Sequence, residues 1–546
     1  MANPAPDQSD CPISADIIII GGGFGGCYAL HQLRKLGYTV KLLEAGSDLG
    51  GVSHFNRYPG ARVDSEVPLY QLNLPAVWQS FSFRERFPGH VELREYFAVM
   101  TKTLDLHKDA VLNFRVAEAK YNNYSNRWTL TTQDGRTADS KYAVFATGTT
   151  NKAYIPNFPG LEKYKGEVIH PAAWPAGIDV RNKKVGIIGQ GASGLQILQE
   201  LAKEDESQVT VFVRNPPTAL PMKQRALTAQ EAEELKNVYD ALFHRAKYTD
   251  ESGYAYNTRA QSLYEATPQE RLRWYEGLWA RGSYAIFTSN YPEHSWNKEA
   301  NAELYRFWAG KVRARITDPV KREIMAPLEQ CQWIGTKRPN LEMDYYEMLD
   351  RPNVRLVDSK RNSISEFSDS GIVVACSDGD QRIDLDLVIV ATGYDSVTGS
   401  LYDMNVTNTE GVTLQEKWKG GVQTYLGMLV PELPNAFILY GPQAPSGLAN
   451  GPPFLELQVE WIVEFLTKLK NEGASTFEVK GECAADYSQA NLDAYAQSLM
   501  KQTPSWWNGS NIPGKVNEPL FWVKGLQSWR RETCKALEDL SWFIVD

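Results

Sequence analysis

The sequence predicts an α/β fold in which one doubly wound unit is inserted within another and a helical subdomain interrupts the inner one. Three observations carry it: two glycine turns of identical spacing, each behind a buried apolar run; two later apolar runs ending in the same Ala-Thr-Gly; and a long helical, aromatic stretch between them. A chain of 546 residues exceeds what one core organises, so several domains are expected.

The stretch "ADIIIIGGGFGGCYALHQLRKLGYTVKLLEAG" reads as a strand, a glycine turn, a helix and a second strand. Gly21, Gly23 and Gly26 fit G-x-G-x-x-G: the first permits the tight turn, the second lets backbone approach a pyrophosphate, and the third lets helix and strand pack closely. Glu44 ends the second strand, where a carboxylate can accept both hydroxyls of an unphosphorylated ribose. This Rossmann-like unit fits FAD or NAD; a glycine turn serving only close packing is the alternative.

The second unit, "NKKVGIIGQGASGLQILQELAKEDESQVTVFVRN", repeats the spacing at Gly189, Gly191 and Gly194. Its second strand ends in Arg214, whose guanidinium would bind a ribose 2′-phosphate that a carboxylate would repel. That unit fits NADPH; the other reading is a solvated strand end. "YAVFATGTT" (Ala146-Thr147-Gly148) and "DLDLVIVATGYDS" (Ala391-Thr392-Gly393) suit a chain crossing from one nucleotide domain to the other. The expected organisation is a first FAD-domain segment over 1–150, a first NADP-domain segment over 151–224 with a linker at 164–175, a helical insertion over 225–327, a second NADP-domain segment over 328–395, and a second FAD-domain segment with a C-terminal mobile loop over 396–546.

Within the insertion, "TAQE" from Thr228 and "TPQE" from Thr267 read as capping boxes, the latter with Pro268 at the first helical position. Leu272, Tyr275 and Trp279 share one face of the helix that follows, as core packing or as a substrate-cavity wall. "FILYGP" reads as a strand running into a loop. "SWWNGSNIPGK" (Ser505 to Lys515) reads as a mobile functional loop or as a surface loop whose Trp506 and Trp507 pack locally.

A net charge of -9 without a long Lys/Arg block excludes a general attraction for nucleic acid. The apolar runs are too short for a membrane span and the N-terminus lacks an export signal, so a soluble cytoplasmic protein is expected, disordered only over its first dozen residues. Six cysteines, scattered without C-x-x-C, argue against a disulfide scaffold or dithiol centre and read mostly as buried packing residues. Seven histidines without H-E-x-x-H give no support to a metal site.

"YKGEVIHPAAWP" resembles the F-x-G-x-x-x-H-x-x-x-W-P motif of Baeyer–Villiger monooxygenases, with Tyr164 in place of phenylalanine and Gly166, His170, Trp174 and Pro175 in register. "GGVSHFNRYPGARVD" resembles a second family motif but has Ser53 where tryptophan is usual. "GTKRPN", "TYLG" and "SWWNGSNIPGK" also look like family segments. The relatives that oxidise soft nitrogen or sulfur usually end the linker in Tyr or Phe followed by Lys, unlike Trp174-Pro175.

The resemblance implies that NADPH reduces FAD, that the reduced flavin captures dioxygen at C4a, and that the resulting peroxide attacks a ketone carbonyl to give an ester or lactone. It implies catalytic roles for Arg338 and for Asp64, which orients it. FAD contacts are implied for Gly21, Gly23, Glu44, Gly51, Asp64 and Tyr70, and NADPH contacts for Gly189, Gln190, Gly191, Ser193, Gly194, Arg214, Lys337 and Trp506. Asn215, where the family often has threonine, can still donate a hydrogen bond to phosphate. The linker reads as a coupler of two moving domains, or as filler of a crevice between them. A small-molecule ketone and dioxygen are the expected partners; nitrogen or sulfur oxidation and a non-catalytic nucleotide-binding flavoprotein are the competing readings.

Overall fold

The computed structural model describes residues 12–257 and 259–546. The disorder expected for the first dozen residues, and Cys11 with it, falls almost wholly outside that range. The first sheet gathers β1 (Ile13–Ile20), β2 (Val40–Leu43), β3 (Ala110–Val111), β4 (Val116–Asn122), β5 (Arg127–Thr132) and β6 (Thr137–Phe145) from the first part of the chain. The second sheet takes β7 (Glu167–Ile169), β8 (Lys184–Ile188), β9 (Gln208–Val213), β10 (Val354–Asp358) and β11 (Leu387–Val390). The chain then returns, and β12 (Val406–Thr407) and β13 (Ala436–Ile438) rejoin the first.

The first sheet runs β12-β4-β5-β6-β1-β2-β3, with β13 beside the second half of β6. Its centre, β1 against β2 and β6, is parallel, and Ile17, Ile18 and Ile19 are fully enclosed. Burial on both faces is why this strand is a continuous apolar run, each such side chain contributing about 1.5–3 kcal/mol. The second sheet, β10-β9-β8-β11-β7, is parallel throughout. Helix α1 (Phe24–Arg34) follows β1 and α2 (Ala192–Leu201) follows β8, so both glycine turns open at the carboxyl ends of their sheets.

The linker is structural. Its residues Glu167–Ile169 are β7, pairing with Leu387–Ile389 at the edge of the second sheet. The Tyr164 hydroxyl donates to the Leu385 carbonyl (2.9 Å). His170 Nε2 donates to the Gly393 carbonyl (3.0 Å) while Nδ1 accepts from the Ala172 N–H (3.1 Å), which fixes a neutral tautomer. Trp174 packs against the core of the second unit, so contact with the returning crossing falls to His170 rather than to the tryptophan. The two crossings run side by side: the N–H groups of Tyr154, Asp395 and Val397 donate to the carbonyls of Gly393 (2.9 Å), Lys152 (2.9 Å) and Thr149 (3.2 Å).

Two local expectations change. Thr267 and Glu270 form the full reciprocal box at the start of α3 (Pro268–Arg281), but Thr228 caps alone because Glu231 turns to Arg225. Along α3, Tyr275 is buried while Leu272 faces solvent, so the three residues do not make one apolar stripe. The run "FILYGP" is, as expected, a strand running into a loop: the strand ends at Ile438, and Tyr440 takes φ +58° and donates its N–H to the Gln458 side chain (2.8 Å).

Candidate active site

A cleft of about 1460 Å³ lies at the carboxyl ends of both sheets and is lined by both glycine turns. On the first side Gly21, Gly23, Gly51, Glu44 and Tyr70 line it. Gly26 does not, because it faces back into the fold: a Cβ there would sit 1.8 Å from the Gly21 carbonyl oxygen. Glu44 is buried and accepts the N–H groups of Gly22 and Gly46 (2.6 Å each) on its two oxygens. Each oxygen retains acceptor capacity for a ribose hydroxyl, so the turn and its acid fit a dinucleotide without a 2′-phosphate. Ser53 also lines the cleft, and the aromatic face nearby belongs to Phe55, two residues on.

On the second side Gly189, Gln190, Gly191 and Ser193 line the cleft, whereas Gly194 packs behind it, where a Cβ would lie 2.2 Å from the Gly189 carbonyl oxygen. Gln190 braces the turn, donating to the Gly189 carbonyl (2.8 Å) and accepting from the Tyr345 hydroxyl (2.8 Å). Ser193 donates to the Tyr58 hydroxyl (3.2 Å), which in turn donates to Gln196 (3.0 Å). Tyr58 belongs to the first unit, and Gly60 beside it, at φ +76°, leaves no room for a Cβ against the Gln196 carbonyl (2.7 Å). The segment "YPG" therefore clasps α2 of the other unit.

Arg214, Asn215 and Lys337 share the far end of the cleft. Burial, with the Arg214 charge adding to it, holds the Lys337 ammonium below the usual lysine range. The two cations are close enough to feel one another's charge and, among the described residues, neither forms an ion pair, an arrangement that fits a phosphate dianion.

Arg338 lies between the two cofactor regions. Its Nε and Nη2 donate to the two oxygens of Asp64 (2.7 and 2.9 Å), Nη2 also meets the Tyr254 hydroxyl (3.0 Å), and Nη1 donates to the Gly447 carbonyl (3.2 Å). The Tyr284 hydroxyl donates to Asp64 (2.6 Å), and its ring lies under the guanidinium at 5.1 Å. Burial alone would raise the Asp64 carboxyl, but the Arg338 charge and the hydrogen bonds of Arg338 and Tyr284 outweigh it and hold the group below the usual carboxylate range. Burial likewise opposes the Arg338 charge, and Asp64 outweighs it, so the guanidinium is permanently charged. With its side chain 20% exposed, it opens onto the cleft.

Trp506 lines the cleft from the C-terminal loop, whereas Trp507 is buried against Phe521. The loop is tied to its surroundings by hydrogen bonds: Asn508 bonds the carbonyl of Thr503 (2.9 Å) and the Tyr495 hydroxyl (3.0 Å), and Lys515 meets Asp395 and Thr398 (2.7 Å) on the returning crossing.

Tyr254, Tyr284 and the Gly447 carbonyl could not be picked out in the sequence, since a buried tyrosine in a helical insertion carries no local signal of what it touches. Of the five described cysteines only Cys27 and Cys483 are buried, and Cys331 and Cys534 are exposed, so packing explains fewer of them than expected. Among the described residues no group of His, Cys, Asp and Glu could hold a metal, and no helix is long and apolar enough to cross a membrane.

A family model described as pyridine nucleotide-disulphide oxidoreductase matches residues 15–240. The chain is 37% identical over 515 residues to cyclopentanone 1,2-monooxygenase of a Comamonas species, covering 94% of this chain and 92% of that one. It is 32% identical over 528 residues to a Baeyer–Villiger monooxygenase of Pseudooceanicola batsensis, covering 96% and 95%. Among solved structures, OTEMO in complex with FAD and NADP superposes with a TM-score of 0.92 at 28% identity, covering 98% of this chain and all of that one.

Proposed function

The chain belongs to the Baeyer–Villiger monooxygenase family, and on that premise we propose that Arg338 and Asp64 are the pair with which it converts a ketone, dioxygen, NADPH and a proton into an ester or lactone, NADP⁺ and water. FAD, when bound, supplies the activation of dioxygen. The chain's own residues do the rest. Gly21, Gly23, Gly51 and Glu44 would hold one dinucleotide, and Gly189, Gly191, Arg214, Lys337 and Trp506 would hold the phosphorylated one.

Negative charge develops on oxygen as the ketone carbonyl is attacked, and a fixed cation aimed at that position lowers the barrier. Arginine suits the task because it cannot give up its proton at working pH. Asp64 fixes the plane of the guanidinium by its two-point contact, and Tyr254, Tyr284 and the Gly447 carbonyl hold the pair from the other sides. The observation that carries the reading is this bidentate pair, with Asp64 from the first cofactor region and Arg338 from the second. NADPH dependence favours the cytoplasm, where that reductant is regenerated.

The test is product stoichiometry. Cyclic, linear and aryl ketones are to be incubated with NADPH under air and their products identified. One ester formed per NADPH consumed supports the reading; oxidation of amines or thioethers with no ester from any ketone would overturn it.

A further inference from the structure

A second group of cations gathers where the short helix Val52–Phe55 packs against the helix His90–Thr103. His54 lies on the first of these and Arg57 just beyond its end, while His90 and Arg94 lie at the start of the second. Arg57 Nε donates to the His54 carbonyl (2.6 Å) and Nη2 reaches His54 Nδ1 (3.4 Å); Arg94 Nη1 donates to His90 Nδ1 (3.0 Å). A guanidinium only donates, so each Nδ1 accepts and each ring carries its proton on Nε2. Burial and the neighbouring guanidinium charges hold both histidines below the usual histidine range, and burial with the Arg57 charge holds Arg94 below the usual arginine range. The two arginines therefore feel one another.

What the cluster leaves free are donors: the unused N–H groups of Arg57 and Arg94 and the Nε2–H of His90, with His54 Nε2 facing the Ser47 hydroxyl (3.4 Å). The acids around it are engaged elsewhere. Asp48 meets His107 (2.9 Å), Glu44 holds two backbone N–H groups, and Glu92 and Glu95 go to Arg84. Among the described residues neither Arg57 nor Arg94 forms an ion pair. Of the four cluster residues only His90 lines the cofactor cleft, so the cluster is distinct from both dinucleotide sites.

We propose that Arg57, Arg94 and His90 form a further anion site, which takes a phosphate group, either as the free ion or on a small monoester. Two planar guanidinium forks and an imidazole N–H match the several oxygens of a dianion better than a single-atom ion such as chloride. The site goes beyond the ketone-oxidising reading and does not depend on it. Its occupant joins Arg57, beside the clasp that begins at Tyr58, to the helix whose first N–H, from His90, donates to the Ala61 carbonyl (2.9 Å). Binding thereby braces the segment that runs on to Asp64.

The experiment uses the full chain loaded with FAD and with NADP⁺ in excess, so that Arg214 and Lys337 are occupied. Inorganic phosphate, glycerol phosphate and sodium chloride are added at matched ionic strength, and binding is followed by calorimetry and by the melting temperature. Inorganic phosphate should bind at one site per chain and raise the melting temperature above its value in chloride. Arg57→Ala and Arg94→Ala should each weaken that binding by about tenfold or more, since each removes charge-assisted hydrogen bonds. Glycerol phosphate binding as tightly as the free ion would extend the site to monoesters, and its exclusion would confine the site to the free ion. Phosphate acting no differently from chloride on the wild type, or binding that survives both replacements, would overturn the proposal. Flavin content and the melting temperature in chloride show whether each variant is folded, and the comparison of phosphate with chloride on the wild type needs neither variant.

Discussion

The two glycine turns share a backbone and differ in how their second strands end. In the first, Glu44 is buried and already holds two backbone N–H groups. In the second, Arg214 is exposed and Lys337 stands near it, its pKa held by burial below the usual lysine range. One end is finished before a ligand arrives; the other is an uncompensated pair of cations that a dianion completes. The contrast suits one turn to an unphosphorylated dinucleotide and the other to a phosphorylated one, and each variant below tests one side of it.

The largest effect should come from Arg338, which belongs to neither turn. Arg338→Ala should lower ester formation by about 10²–10³, while reduction of the flavin by NADPH, followed by its bleaching, persists. If both fell together, Arg338 would have to be moved from the chemistry to the cation set of the second turn.

Next come the cations themselves. Arg214→Ala and Lys337→Ala should each raise the KM for NADPH by about ten- to a hundredfold, since a charge-assisted hydrogen bond is worth about 1.5–3 kcal/mol. Neither should change the KM for NADH or the flavin content. On the other side, Glu44→Gln leaves a buried N–H without its acceptor, at a cost of about 1–3 kcal/mol. A lowered melting temperature and a loss of bound FAD on dialysis, with the KM for NADPH untouched, would sharpen the comparison.

A smaller effect should follow pH. Because burial and the neighbouring Arg214 depress the Lys337 pKa, its positive form is lost at lower pH than for an ordinary lysine. The KM for NADPH should therefore climb as pH rises towards the lysine range, and Lys337→Ala should flatten that climb. The smallest change is expected for His170→Ala, which removes two neutral hydrogen bonds of about 0.5–1.5 kcal/mol each. It should slow flavin reduction by NADPH by less than about tenfold, measured by rapid mixing.

What could be read in advance followed the range of the interaction that produces it. The strand, turn and helix around Gly21 and Gly189 are local, and periodicity with three glycines reveals them. So is the cap at Thr267. Thr228 shows the limit: its box fails because Arg225, outside the four-residue pattern, takes the glutamate. Gly26 and Gly194 match a cofactor motif by spacing yet work as packing positions, a distinction that only the distance to a carbonyl makes. Arg338 was legible through its resemblance to a known motif. The tyrosines that hold it were not, since Tyr254 lies 84 residues away in the chain and joins it only through tertiary packing. The linker behaved as a hybrid: His170 and Gly166 were visible, but its role as an edge strand depended on β11, more than two hundred residues later.

The paired crossings have a mechanical consequence. Two segments bonded side by side form a ribbon, which resists being pulled longer or splayed apart but yields readily to torsion. The inner domain is consequently tied to the outer one through both crossings at once, so that bending or twisting of the ribbon carries it as one body. Distance probes on the two domains should record one concerted shift rather than independent movements of the two crossings.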